Sequence, residues 1–134
     1  MLERPGQKSI VLILARELAS KLSTAAFVTA ERGELVYYNE AAEELLGATL
    51  AETAALPARD WRALFSAERL DGTPMPVDEM PGMIALGGRP AHDELCVTTE
   101  DGARRRLLVT ALPLFAHADE LVGVLIVFWP RRAG

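Results

Sequence analysis

The chain is poor in the residues that carry most enzyme chemistry. Cys96 is its one cysteine, and His92 and His117 are its two histidines. A single thiol excludes an internal disulfide and fits a reducing, cytoplasmic home. Two histidines far apart in sequence and one cysteine do not make a metal-ligand spacing. Positive charge is also scarce: 14 Lys and Arg against 19 Asp and Glu leave a net charge of -5, which excludes the basic face that nucleic-acid binding needs. No long hydrophobic run is present. Ile10 to Ala15 is apolar, but Arg16 and Glu17 follow at once. That run is too short to span a bilayer, and no small-residue cleavage site follows it. The chain reads as soluble and unprocessed, without membrane or nucleic-acid partners. It has no internal repeat and no low-complexity segment.

What is there suits one domain with a real core: 134 residues, half of them hydrophobic. The most telling run is Gly33-Glu34-Leu35-Val36-Tyr37-Tyr38-Asn39-Glu40-Ala41-Ala42-Glu43-Glu44-Leu45-Leu46-Gly47. Leu35 to Tyr38 favour a strand. Asn39 is a good helix N-cap, and Glu40 to Leu46 are strong helix formers with acids near the positive end. Gly47 can supply a left-handed residue that stops the helix. Upstream, residues 1–8 carry no pattern and are expected to be disordered. Ser9 can cap a helix over 9–22, with Ile10, Leu14, Leu18 and Leu22 at i+4 spacing and Val11 beside them. A strand at 25–30 and the turn Glu31-Arg32-Gly33 make a hairpin with 34–38. Trp61, Leu64 and Phe65 predict a short helix over 59–67. Asp71-Gly72 is a turn. Asp78 starts a helix over 78–86 that holds Pro81 in its first turn and ends at Gly87-Gly88. Three longer strands follow, over 93–99, 104–115 and 121–129.

The order of elements predicts an α+β fold with an antiparallel sheet. In 104–112, Leu108, Thr110 and Leu112 share one face and Leu107, Val109 and Ala111 the other. In 121–129, Leu121, Leu125, Val127 and Trp129 face one way, and Val122, Val124, Ile126 and Phe128 the other. A half-exposed strand alternates apolar with polar, and these do not. Both faces of the sheet must therefore be covered, one by the short helices and the other by the N-terminal helix or a second subunit.

The run 33–47 resembles a signature of PAS domains. A second stretch, Asp71-Gly72-Thr73-Pro74-Met75-Pro76 through Glu79-Met80-Pro81 and then Ala85-Leu86-Gly87-Gly88-Arg89-Pro90, resembles a pattern of bacterial PAS sensors. Asp101-Gly102 and the apolar strands after it match as well. The resemblance runs from about Leu22 to Trp129. It implies a five-stranded antiparallel sheet with helices on one face, a small cavity between them, and an N-terminal helix that flanks the sheet and makes a dimer. Residues 23–130 are then the PAS domain, 9–22 the flanking helix, and 131–134 a tail or the start of a linker. Candidate cavity residues are Tyr38, Trp61, Phe65, Met75, Met80, Met83, Ile84, Leu95, Leu108, Thr110 and Leu125. The methionines offer adaptable apolar surface, and the Thr110 hydroxyl needs a partner. Candidate dimer residues are Ile10, Val11, Leu14, Leu18, Leu22, Ile126 and Phe128. Asn39 and Gly47 are structural.

Cofactor chemistry finds little support in these residues. Flavin photosensing in the family uses an asparagine–cysteine pair in the middle helix, and 59–67 has no cysteine. Haem binding uses a histidine on the helix before the third strand, and 78–86 has none. His92 and His117 read as exposed loop residues, and Cys96 as a buried strand residue. Asp78 and Glu79 are explained by a helix start, Glu43 and Glu44 by a solvated helix face, and Arg104 to Arg106 by a solvated strand end. No set of polar groups converges for catalysis, and no metal ligands are expected. The expected function is a bacterial sensor domain that binds a small, mostly apolar ligand, mediates homodimerisation, or both, with no catalytic activity of its own. It would act with a histidine kinase, a phosphatase or a transcription regulator. A ligand-free dimerisation module is the first alternative. A small α+β enzyme acting on an apolar substrate is the second.

Overall fold

The computed structural model of the protein describes residues 5–47, 67–99, 102–117 and 119–131, with side chains from Ile10 onward. Helix α1 spans Pro5–Lys21. It starts ahead of Ser9, so part of the segment expected to be disordered is helical. Pro5 sits in the first turn, where its missing N–H leaves no intrahelical bond unmade. Strand β1, Ala25–Ala30, and strand β2, Leu35–Tyr38, form the expected hairpin. Helix α2 spans Glu40–Leu46, with Asn39 as its N-cap. Gly47 closes it with its N–H on the Glu43 carbonyl at 2.8 Å. Its φ of 99° is positive as expected, but its ψ of -179° is extended, not left-handed helical. That combination is essentially reserved for glycine.

The helix expected over 59–67 lies, except for Ala67, outside the described residues. Glu68 then bonds both ways with Cys96, at 2.8 and 2.9 Å, which covers the outer edge of the sheet. Asp71 holds a tight turn by accepting from the Thr73 backbone N–H at 2.9 Å and from its hydroxyl at 2.7 Å. The single helix expected over 78–86 is two pieces: a 3-10 turn at Val77–Glu79 and helix α3 at Pro81–Leu86. Met80 between them has ψ 139°, because the residue before a proline is driven out of the helical region.

Strands β3 (Ala91–Thr98), β4 (Arg104–His117) and β5 (Glu120–Pro130) complete a five-stranded antiparallel sheet in the order β2-β1-β5-β4-β3. His92 and His117 therefore lie within strands, not on loops. The sheet separates two apolar clusters. The larger joins Phe27, Leu35, Leu95, Val97, Leu107, Val109, Ala111, Val124, Ile126 and Phe128 to α2 and α3. The smaller joins Ala15 and Ala19 of α1 to Ala26, Val28 and Leu125 on the opposite face. Close approach there needs Gly123, since a Cβ would come within 3.0 Å of Leu12 and 2.0 Å of the Thr29 carbonyl oxygen.

Candidate functional site

The inner face, under α2 and α3, holds a cavity of about 80 Å³. Its walls come from every layer. Phe27 comes from β1, Leu46 from α2, and Met80, Pro81 and Gly82 from the start of α3. Leu95 and Val97 come from β3, Leu107 and Val109 from β4, and Ile126 and Phe128 from β5. Phe27 and Phe128 pack with ring centroids 4.9 Å apart. Gly82 brings α3 down onto β5, where a Cβ would stand 3.0 Å from Ile126 Cδ1. Each of these side chains is apolar, so the described walls offer an occupant no charge and no side-chain hydrogen bond. Its volume is roughly half of the ~150 Å³ apolar cavity known to hold benzene.

The expected site residues fall into four groups. Met80 and Leu95 line the cavity. Tyr38 and Met75 belong to the surrounding core without lining it, and Met83 and Ile84 are half-buried on α3. Trp61 and Phe65 lie outside the described residues. Leu108, Thr110 and Leu125 are on the wrong side: they point to the outer face, and Ile126 and Phe128, expected at a dimer interface, line the cavity instead. The two faces are exchanged relative to expectation. Cross-strand pairing ties the assignment together, since Val109 is opposite Phe128 and Ala111 opposite Ile126, while Thr110 is opposite Val127 and Leu112 opposite Leu125. The cavity residues that sequence reading missed are Phe27, Leu46, Pro81, Gly82, Val97, Leu107 and Val109.

The outer face is chemically different. The Thr110 hydroxyl finds its partner in His92 Nδ1 at 2.7 Å, and the His92 ring lies 6.4 Å from that of Trp129. Glu94 on β3 receives Arg106 of β4, with Nε at 3.1 Å, and Arg131 just beyond β5, with Nη1 at 2.6 Å. The Arg106 hydrogen bond, with Arg131 adding to it, holds the Glu94 carboxyl below its usual range. The Arg131 backbone N–H also donates to the Arg106 carbonyl at 2.9 Å, so the chain leaves the domain pinned to the outer face. Helix α1 covers only part of this face. Ile10, Ile13, Leu14 and Leu18 project from it into solvent, each more than half exposed. Of the expected dimer residues, Leu22 instead packs against the sheet.

Asn39 joins the two sides. It is 2% exposed, and its Oδ1 accepts from the Ala42 N–H, the helix cap, and from the Ala26 N–H of β1, both at 3.0 Å. Its Nδ2 donates to the Ala19 carbonyl of α1 at 3.0 Å and to the Thr24 carbonyl at 2.8 Å. Two donors and two acceptor positions are all used. One side chain thus locks the end of α1, the start of β1 and the start of α2 together. The cap was legible in sequence, but the link to α1 was not.

Among the described residues no group of His, Cys, Asp and Glu is placed to hold a metal ion. Asp78 and Glu79 lie in the 3-10 turn, and Glu79 pairs with Arg69 at 2.7 and 2.9 Å. Arg104 pairs with Glu68 at 3.1 Å. No described helix is long and apolar enough to cross a membrane.

The comparisons with known proteins agree with this architecture. The family described as PAS fold matches residues 19–133. The chain belongs to that family. Among solved structures, it is similar to the PAS domain of BvgS from Bordetella pertussis, with TM-score 0.62, 17% identity, and 91% of this chain and 86% of that one covered. It is also similar to a domain of a sensory box sensor histidine kinase/response regulator from Geobacter sulfurreducens, with TM-score 0.57, 22% identity, and coverage of 90% and 92%. A third similar structure is the light-state dimer of the fungal blue-light photoreceptor Vivid, with TM-score 0.60, 14% identity, and coverage of 96% and 98%. No curated protein matches the sequence.

Proposed function

We propose that this chain is a sensory signal-transduction domain with no catalytic activity of its own, and that it binds a small, mostly apolar ligand in the inner cavity. The observation that carries this reading is the cavity itself, an apolar space walled by helix α3 and four of the five strands. Such a space loses dispersion contacts, and an apolar occupant restores them. One similar structure is a domain of a sensory box sensor histidine kinase/response regulator. A histidine kinase, a phosphatase or a transcription regulator is the class of partner that fits.

Among the described residues, Cys96 and His92 are not placed for flavin-adduct or haem chemistry in this cavity. Cys96 alternates with Leu95 and Val97 and so points away from the cavity they line. His92 is engaged with Thr110 on the outer face.

The second part of the reading is homodimerisation through α1. Four large apolar side chains in solvent on helix α1 form a surface that association would bury. Signal would pass as a shift in the populations of two arrangements at α1 or at the end of β5. The two ends are neighbours: Ser23 and Thr24, after α1, share a groove with Trp129 and Pro130.

Native and denaturing mass spectrometry on protein purified from its own host tests both parts. A dimer that releases a small molecule on denaturation supports the full reading. A dimer with no released molecule leaves the interaction module alone. A clean monomer contradicts both. Leu14→Asp is expected to convert dimer to monomer with little loss of fold, because Leu14 is 62% exposed.

A further inference from the structure

A second space, of about 380 Å³, lies at the end of the sheet where α1 gives way to β1 and β5 ends. It follows from strands of unequal reach. Strand β1 begins at Ala25, opposite Phe128, while β5 runs on to Pro130. Trp129 and Pro130 therefore overhang β1, and Ser23, Thr24 and the side of α2 border the gap. Its volume falls within the ~300–1,000 Å³ of sites for drug-sized ligands, which the inner cavity does not reach. Leu45, Trp129 and Pro130 give it apolar walls, and Ser23 and Thr24 are its neutral polar residues. One charged residue lines it, Glu44. Other glutamates spend their charge within the fold: Glu17 on Lys21, Glu68 on Arg104, Glu79 on Arg69, and Glu94 on Arg106 and Arg131. Glu44 has no such partner among the described residues. It also stands in the last turn of α2, where the carbonyl end of a helix disfavours an acid, and that turn holds no basic residue.

We propose that this groove is a second ligand site, and that it takes an organic ammonium ion: a small amine with an apolar body. The unmatched carboxylate attracts the charge, an indole face can receive it, and the apolar walls cover the body. An anion is excluded, because no basic residue lines the groove. A bare metal cation fits poorly, since calcium and magnesium need six or more oxygen ligands and Glu44 is the one carboxylate. An occupant would touch the α1–β1 junction, α2 and the end of β5 at once. The site is independent of the inner cavity, although Phe128 walls both spaces.

The test uses two probes of one shape on the full chain, choline and 3,3-dimethyl-1-butanol, which puts a carbon where choline has its charged nitrogen. Titrations run at about 0.15 M salt, so that distant charges are screened. The NMR signals of the Trp129 indole N–H and the Ala41 methyl report groove occupancy, and the methyls of Ile126 and Val109 report the inner cavity. The expected result is that the wild type binds choline on the order of fivefold more tightly than the alcohol, with the groove signals moving. Glu44→Gln is expected to remove most of that preference. Glu43→Gln makes the same charge change one residue away, outside the groove, and is expected to keep it. Equal losses in the two variants would overturn the site, because the attraction would then belong to the acidic surface as a whole. A wild type that takes both probes equally, or leaves both groove signals still, also overturns it. Movement of the inner methyls alone would put the probe in the inner cavity, which overturns the groove site and leaves the cavity reading standing.

Discussion

The inner and outer faces of this sheet are almost equally rich in apolar side chains, yet they end in different surroundings. The inner face packs Phe27, Val109, Ile126 and Phe128 under two short helices and leaves an apolar cavity. The outer face packs Ala26, Val28 and Leu125 under one long helix, and then gives way to His92, Thr110, Glu94, Arg106 and Trp129. One face is closed over by the chain itself. The other is only partly covered and carries its charges in a pinned network at the chain's exit. Within one fold the same sheet thus separates an apolar cavity from a partly exposed, charged surface.

The sharpest way to break the comparison is to truncate neighbouring aromatics on opposite faces. Phe128 is 2% exposed and Trp129 is 37% exposed. Phe128→Ala is expected to cost about 3–5 kcal/mol in urea unfolding, the range for a buried aromatic that leaves a hole. Trp129→Ala is expected to cost about 1 kcal/mol or less. Equal losses would mean that the two faces are covered alike.

A smaller effect is expected at Asn39, where the faces are tied. Asn39→Ala removes four hydrogen bonds, one of them the helix cap, for a loss of about 3 kcal/mol. Asn39→Asp is more discriminating. It keeps the acceptor for Ala26 and Ala42 but turns a carboxylate toward the Ala19 and Thr24 carbonyls. Hydrogen exchange is expected to rise first in α1, with the sheet still protected. Uniform deprotection would show that α1 is not separately hinged at this residue.

The mildest effect is a pH dependence confined to the outer face. The Glu94 carboxyl is held below its usual value by Arg106 and Arg131. A carboxylate with a lowered folded pKa contributes stability above its unfolded value, about 4.5, and that contribution is lost as pH falls through the folded pKa. Acid is expected to loosen the Arg131 contact while inner-face methyl signals stay unchanged. Glu94→Gln is expected to remove that part of the acid response. The response would remain in the variant if other carboxylates, such as Asp71 or Glu17, carried it.

Much of this was legible in the sequence, because periodicity and punctuation are local. The hairpin at 25–38, the Asn39 cap and the three long strands follow from residues within a few positions of one another. Which face of the sheet turns inward is not local. Leu107-Val109-Ala111 and Leu108-Thr110-Leu112 are both apolar enough to be core. A longer view of the same strand breaks the tie. Extended backward, the second set continues into Arg106 and Arg104, and the first continues only into Arg105. The set that runs into two charges is the one that faces out. Leu125 and Ile126 then follow by pairing, since Leu112 lies opposite Leu125 and Ala111 opposite Ile126. The break before Pro81 was available from the restriction on pre-proline residues. The contacts of Asn39 with Ala19 and Thr24 were not, because they depend on where α1 docks.

The most direct measurement of the central claim is xenon binding, read by crystallography under gas pressure or by methyl NMR. Xenon seeks dry apolar space and needs no hydrogen bond. The expected result is one site among Phe27, Val109, Ile126 and Phe128, with the methyls of Ile126 and Val109 responding and the outer Leu112 silent. Xenon on the outer face alone, or no response from the inner methyls, would contradict a ligand cavity on the inner face.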